Sequence, residues 1–244
     1  MKNLIHLSDY SIEDVENIFT LADELEKKQI PEALKGKTVA MFFPPKSVHM
    51  RLSFEKGIKL LGGNVVNFDS AILEEVQSVQ DFVAYLNNWA DVIIIRYHST
   101  AFLEELSMYS SAPIINAMTD ESHPTEVLSD LYELNKMGSD SLSKSFLYVG
   151  PDNGVGKAWK EAADFFSLDF TQSAPEQYQL EDVPFERNLS KAIQEKDIII
   201  SSPIKNSQFM KEYQINLPLL EQANKGAIFT PVAPFFRGGD VSDD

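Results

Sequence analysis

Apolar positions along this chain fall into two rhythms that take turns. Compact runs at Thr38 to Phe43, Val65 to Phe68, Val92 to Ile95 and Ile114 to Asn116 read as strands buried on both faces. Around them lie one-sided patterns of helical period. Ile12, Val15, Ile18, Phe19, Ala22 and Leu25 share one face of a helix opened by Ser11 with Asp14, and Pro31 ends it or lies just beyond. Met50, Phe54, Ile58 and Leu61 line a second helix, which Gly62-Gly63 stops. Ser78 with Asp81 caps a helix carrying Val79, Phe82, Val83 and Leu86. Pro124 takes a first-turn position before Val127, Leu128, Leu131 and Leu134.

A second series follows the first. Ser145 to Val149, Leu168 to Thr171, Asp197 to Ser201 and Ala227 to Phe229 read as strands, with helices near Val155 to Phe166, Leu189 to Glu195 and Leu217 to Ala223. The alternation predicts an α/β protein of two consecutive doubly wound parallel-sheet domains, residues 1–133 and 134–244, joined near the Leu131 to Lys136 helix. Segment 172–186 is the expected long loop, and Asp240 to Asp244 form a charged tail. No internal repeat or low-complexity segment breaks the pattern.

Composition narrows the partners more than the fold. With 244 residues, 43% of them hydrophobic, the chain can bury a large core. No run approaches the roughly 18 apolar residues of a membrane helix. The start, Met-Lys-Asn-Leu-Ile-His, lacks a signal-peptide core, so a cytoplasmic protein is expected. The absence of cysteine removes disulfides, thiolate metal sites and a thiol nucleophile. His6, His49, His98 and His123 show no metal-ligand spacing, and no metal or cofactor is expected. A formal charge of −16 opposes nucleic acid and anionic membranes, leaving small molecules as the expected partners. A small anion can still occupy a local basic pocket. Gly150 to Gly156 lacks the full Gly-x-Gly-x-x-Gly spacing, which makes dinucleotide binding a weaker reading.

Such a pocket is suggested where the first strand passes Pro44-Pro45 into a helix start. The first amides of a helix have no internal partner and carry partial positive charge, so phosphates bind there. Lys46, Ser47, Val48, His49, Met50 and Arg51 stand at that end, although an ordinary capped helix with a surface arginine would look the same. Ligands of open α/β sheets gather beyond the carboxyl ends of strands. Two further strand ends carry polar chemistry: Arg96 after Asp-Val-Ile-Ile-Ile, and His123-Pro124-Thr125-Glu126 after Pro-Ile-Ile-Asn-Ala. Taken singly, these read equally as a surface arginine and a helix-capping histidine.

Their order and spacing resemble the aspartate and ornithine carbamoyltransferase family, whose first domain carries Ser-Thr-Arg-Thr-Arg-Leu-Ser-Phe-Glu, an arginine after a strand, and His-Pro-Thr-Gln or His-Pro-Cys-Gln. The resemblance continues through Leu60-Leu61-Gly62-Gly63-Asn64-Val65-Val66 and Asp130-Leu131-Tyr132 to Phe229 through Val241. It implies a homotrimer with active sites between subunits, a first domain for carbamoyl phosphate and a second for an amino acid. Carried over by position, Ser47 and the amides around Val48, His49 and Met50 would hold phosphate, and Arg96 and His123 would polarise the carbamoyl oxygen. Arg51 would brace the loop through an ion pair, with direct ligation the lesser reading.

The departures from the pattern are chemical. The motif's first arginine is His49, its threonines are Val48 and Met50, and the glutamine after His-Pro-Thr is Glu126. A lysine that in the family reaches the neighbouring subunit's site aligns with Glu75. Charge-assisted hydrogen bonds contribute about 1.5 to 3 kcal/mol each, so two lost cations weaken phosphate binding by roughly 3 to 6 kcal/mol. Lys46, or a protonated His49, can restore one charge.

In the second domain, Gly150-Pro151-Asp152-Asn153-Gly154-Val155 resembles Gly-Asp-Gly-Asn-Asn-Val of the ornithine branch, with Asn153 the retained candidate for substrate. Ser201-Ser202-Pro203-Ile204-Lys205 stands where ornithine enzymes carry Asp-x-x-x-Ser-Met-Gly and aspartate enzymes an arginine. Pro231-Val232-Ala233-Pro234 replaces the family's His-Cys-Leu-Pro. The sequence stops at Asp244, where the family usually runs into a final helix; either the sequence continues, or the closed state is supported differently.

Three functions remain open at this point. One is a carbamoyltransferase whose amino-acid-like acceptor is neither typical aspartate nor typical ornithine. Another is a non-catalytic paralogue that binds a metabolite or serves as a scaffold. The third is transfer from a donor less negative than carbamoyl phosphate.

Overall fold

The computed structural model describes residues 2–27, 32–138, 140–204, 209 and 211–243. The chain divides into two compact units, Met1–Leu128 and Ser129–Asp244. The division falls within the helix Pro124–Met137, which also contains the expected boundary after residue 133.

In the first unit, strands β1 (Thr38–Phe43), β2 (Asn64–Asp69), β3 (Val92–Arg96) and β4 (Ile114–Met118) form one parallel sheet in the order β2-β1-β3-β4. Helices α1 (Ile12–Glu26), α2 (Val48–Leu60), α3 (Val79–Leu86), α4 (Thr100–Tyr109) and α5 (Pro124–Met137) alternate with them. The two-residue period of β1 explains the doubly wound layering. Ala40 and Phe42 pack with Ile93, Ile95, Val83 and Leu103, whereas Val39, Met41 and Phe43 pack with Ile94 and Ile58. Each large apolar side chain so buried stabilises the unit by roughly 1.5 to 3 kcal/mol.

Local signals act as expected at several ends. Ser11 and Asp14 complete a capping box on α1, Ser78 accepts from the Asp81 amide, and Gly62 turns the chain after α2 at φ 79°. The possible stop at Pro31 lies outside the described residues. At the sheet's far margin, Leu4 pairs with Ile115, so residues 3–5 lie along β4.

The second unit repeats the plan. Strands β5 (Ser145–Val149), β6 (Asp169–Ser173), β7 (Ile198–Ser201) and β8 (Ile228–Pro231) are parallel in the order β6-β5-β7-β8. Helices α6 (Gly154–Phe166), α7 (Leu189–Ala192) and α8 (Leu217–Leu220) accompany them. The core centres on Trp159, Tyr148 and Phe146, all fully buried.

Three expectations need correction. Strand β2 is not buried on both faces, because it lies at the margin of its sheet, and Asn64, Val66, Asn67 and Asp69 are exposed. Helices α7 and α8 are shorter than their apolar patterns suggest; Glu195 adopts φ 60°, and the chain after α8 closes in tight turns. Segment 172–186 is not one open loop. Its first two residues finish β6, and the buried Gln172 side chain donates to the carbonyls of Gly150 and Tyr178 and accepts from the Leu180 amide.

Candidate functional site

The order β2-β1-β3-β4 puts the reversal of connection between β1 and β3, and the side chains that follow these two strands meet there. Arg96 Nη1, at the tip of β3, donates to Ser47 Oγ across 2.9 Å. Ser47 precedes α2 but does not cap it with its side chain; it is buried, with its hydroxyl turned to Arg96. Burial pushes the Arg96 guanidinium below its usual range, while the charges of Glu126 and Asp120 draw it back up.

The mouth of α2 is narrower in chemistry than the sequence suggests. The Val48 amide is taken by the Lys46 carbonyl, and the Arg51 amide reaches the Ser47 carbonyl at 3.3 Å. Those of His49 and Met50 stay without an acceptor among the described residues. The side chains of Lys46, Val48 and His49 are exposed. Arg51 braces the strand-to-helix turn, donating from Nη2 to the carbonyls of Phe43 (3.1 Å) and Pro44 (3.2 Å). These are bonds to backbone rather than the expected ion pair, because the carbonyls that end β1 and begin the turn lie within reach of the guanidinium.

The third element is the turn from β4 into α5. Thr119 and Ser122 close it through three hydrogen bonds, and Thr119 Oγ1 also meets Thr100 Oγ1 at 2.6 Å. Glu121 accepts from the amide and hydroxyl of Thr100 at the start of α4. This frame presents His123, only 4% exposed, with Nε2 at 2.6 Å from Glu126 Oε2 and Nδ1 buried without a partner. Within the first unit Ser47 with Arg96 and Glu126 with His123 thus form a polar group of two bonded pairs, with the charge of Glu126 also acting on Arg96.

Beside this group opens a cleft of about 400 Å³, walled by residues that follow all four strands. Arg96 and His98 line it together with Asp69, Glu74 and Asp120, so carboxylates outnumber the fixed cation. The acidic wall was not foreseen from the sequence. Glu75, the aligned position, is exposed and it is Glu74 that faces the cleft. The strand-end rule could have found Asp69, which directly follows an apolar run, and Asp120, two residues past the end of β4.

Among the described residues, the second unit's strand ends are joined to one another by hydrogen bonds. Asn153 caps α6, its Oδ1 accepting from the Val155 and Gly156 amides and from Tyr148 OH, while its Nδ2 donates to Ser202 Oγ at 3.0 Å. The cavity there measures about 10 Å³, room for roughly one water, among Ser201, Ser202, Tyr213 and Asp240. Gly156 is required by close approach, since a Cβ would lie 2.8 Å from the Tyr148 ring. Lys205, the last residue of the stretch that departs from the family motifs, lies outside the described residues. Among the described residues no group of three or more His, Asp or Glu could hold a metal ion, and no helix is long and apolar enough to cross a membrane.

Comparison with known proteins decides the family. Residues 2–136, more than half the chain, match the family model described as aspartate/ornithine carbamoyltransferase, carbamoyl-P binding domain. The chain belongs to the aspartate/ornithine carbamoyltransferase family. Ornithine carbamoyltransferase of Hydrogenovibrio crunogenus is 30% identical over 267 residues, covering 99% of this chain and 88% of that protein. The Methanosphaera stadtmanae protein of the same name is 29% identical over 273 residues, covering 100% and 90%. Among solved structures, anabolic ornithine carbamoyltransferase from Campylobacter jejuni superposes with a TM-score of 0.86 at 27% identity, covering 100% of this chain and 90% of that one. The Thermus thermophilus enzyme gives 0.89 at 22% identity, with coverage of 100% and 89%, a likeness of fold. The two α/β units described above are thus the family's architecture.

Proposed function

We propose that this member of the carbamoyltransferase family moves the carbamoyl group of carbamoyl phosphate to an amino group of an amino-acid-like acceptor other than aspartate or ornithine. The observation that carries the donor half is the Arg96–Ser47 bond of 2.9 Å at the sheet's reversal point, beside the unoccupied amides of His49 and Met50. In this reading those amides and Ser47 receive the phosphate, with Lys46, Val48 and Arg51 shaping the turn. Arg96 and His123 stand at the carbamoyl oxygen. A neutral amine attacks the carbamoyl carbon, forming a C–N bond. The oxyanion that develops is met by donors already in place, and the C–O bond to phosphate breaks as the amine gives up its proton.

The acceptor half rests on the second unit. Asn153 is committed to α6 and to Ser202, and the β7 tip reads Ser201-Ser202-Pro203 rather than either family motif. The chain's curated relatives are named for ornithine, which makes ornithine the first acceptor to test. A second reading, a non-catalytic metabolite-binding or scaffold paralogue, is favoured by the His123–Glu126 contact, which occupies a group the reaction needs. We place the protein in the cytoplasm as a homotrimer, an assembly that light scattering would report as three times the chain mass.

The test has two stages. Carbamoyl phosphate at millimolar concentration should raise the melting temperature, and Arg96→Ala should weaken binding about tenfold to a hundredfold. A panel of amines, ornithine included, is then assayed for carbamoylated product. Product from ornithine at family-like rates would overturn the acceptor assignment, and a thermal shift without product from any amine would favour the binding protein.

A further inference from the structure

Glu126 acts on both of the groups assigned above to the carbamoyl donor, on one by contact and on the other by charge. Its Oε2 lies 2.6 Å from His123 Nε2, and its charge acts on the Arg96 guanidinium. The imidazole is almost completely buried, and its other nitrogen meets no partner among the described residues. A buried ring anchored at one nitrogen takes its orientation from that anchor, so Glu126 positions His123.

The surrounding charges decide what the pair does when an anion arrives. From the tip of β3, Arg96 supplies one positive charge; from the β4-to-α5 turn, Asp120 supplies a negative one that also acts on Arg96. On α2, Arg51 directs its guanidinium to backbone carbonyls, and Glu121 is held by Thr100. His98 and Glu74 line the neighbouring cleft. With His123 neutral, the carboxylates exceed the fixed cation, and a dianion is opposed. One proton on the His123–Glu126 pair removes one negative charge from beside the incoming ligand.

We propose that Glu126 is the positioning and specificity-determining residue of the donor site: a phosphate-type dianion enters together with one proton, taken by the His123–Glu126 pair. This inference rests on the donor-site reading above. The proton comes from solvent and returns to it when phosphate leaves, so the reaction's balance is unchanged. The sign follows directly. A pair that must be protonated to admit the dianion binds it more tightly as pH falls, and a neutral isostere at position 126 removes both the repulsion and the coupling.

Isothermal titration of the full chain with carbamoyl phosphate, in buffers of different ionisation enthalpy across the neutral range, counts the protons taken up. The native chain should take up close to one proton beyond the ligand's own and lose up to about tenfold in affinity per pH unit. Glu126→Gln should take up none, show a flat profile and bind about ten- to a hundredfold more tightly on the alkaline side. Glu126→Asp, which keeps the charge, should restore the uptake. Equal proton counts in native and Glu126→Gln chains, or no tighter binding by Glu126→Gln, would overturn the inference and leave the donor site standing. Zero uptake by the native chain overturns it whether or not the variant folds. No heat from native or variant at any pH removes the donor site and this inference with it.

Discussion

The two units are built to the same plan and finished differently. Their sheets share one strand order, and at the amino ends of the strands the chemistry is also shared. Asp91 accepts from the Thr38 amide that begins β1, and Asp197 accepts from the Ser145 amide that begins β5. At the carboxyl ends each unit joins the tips beside its reversal point by one side-chain bond, Arg96 to Ser47 and Asn153 to Ser202. Both pairs are 49 residues apart, which marks them as equivalent positions. In the first unit that bond leaves charge, orphaned amides and a cleft of about 400 Å³; in the second it joins a network that consumes its own donors and leaves about 10 Å³. One topology thus supports strand ends that open onto a cleft and, among the described residues, strand ends held by their own hydrogen bonds.

Breaking the closed network should cost the most stability. Gln172→Ala strands the Gly150 carbonyl and the buried Leu180 amide, each worth about 1 to 3 kcal/mol, and leaves the Tyr178 carbonyl to the Asp152 amide; chemical denaturation should show the loss while carbamoyl phosphate binding persists. A loss of binding without loss of stability would erase the contrast. Ser47→Ala should behave in the opposite way. Its single bond to Arg96 makes the stability cost about 0.5 to 1.5 kcal/mol, and its larger signature is a weaker thermal shift with carbamoyl phosphate.

The smallest effect lies away from both sets of strand ends, on α1. Lys2, followed by the amide and hydroxyl of Ser11, holds the Asp14 carboxyl at about 2. A carboxyl lowered on folding stabilises above its unfolded range and loses that contribution as pH falls from about 4 to 2. Melting curves of native and Asp14→Asn chains should therefore converge in that window. Curves that stay parallel would show that the exposed pair does nothing.

Much of this was legible in the sequence, because strand runs, caps and the three motif positions depend on local spacing. Ser47, Arg96 and His123 were singled out by their places after strands, and of these the structure bonds Arg96 to Ser47. What escaped depends on distant partners. The exposure of β2 follows from strand order, which no local pattern encodes, and the choice of Glu74 over Glu75 for the cleft wall follows from the turn Ser70–Glu75. Arg51 illustrates the same limit: its charge suggested a carboxylate, but the carbonyls of Phe43 and Pro44 were the partners at hand. Gln172 read as the start of a loop, although its amide is what orders that loop.

The crowding of Tyr148 against Gly156 has an evolutionary reading. A side chain added at position 156 would collide with a ring that is itself fixed by the core, so no single substitution opens that turn. Variation that reshapes these strand ends must therefore come from positions other than 156, because the ring it would meet is set by the core.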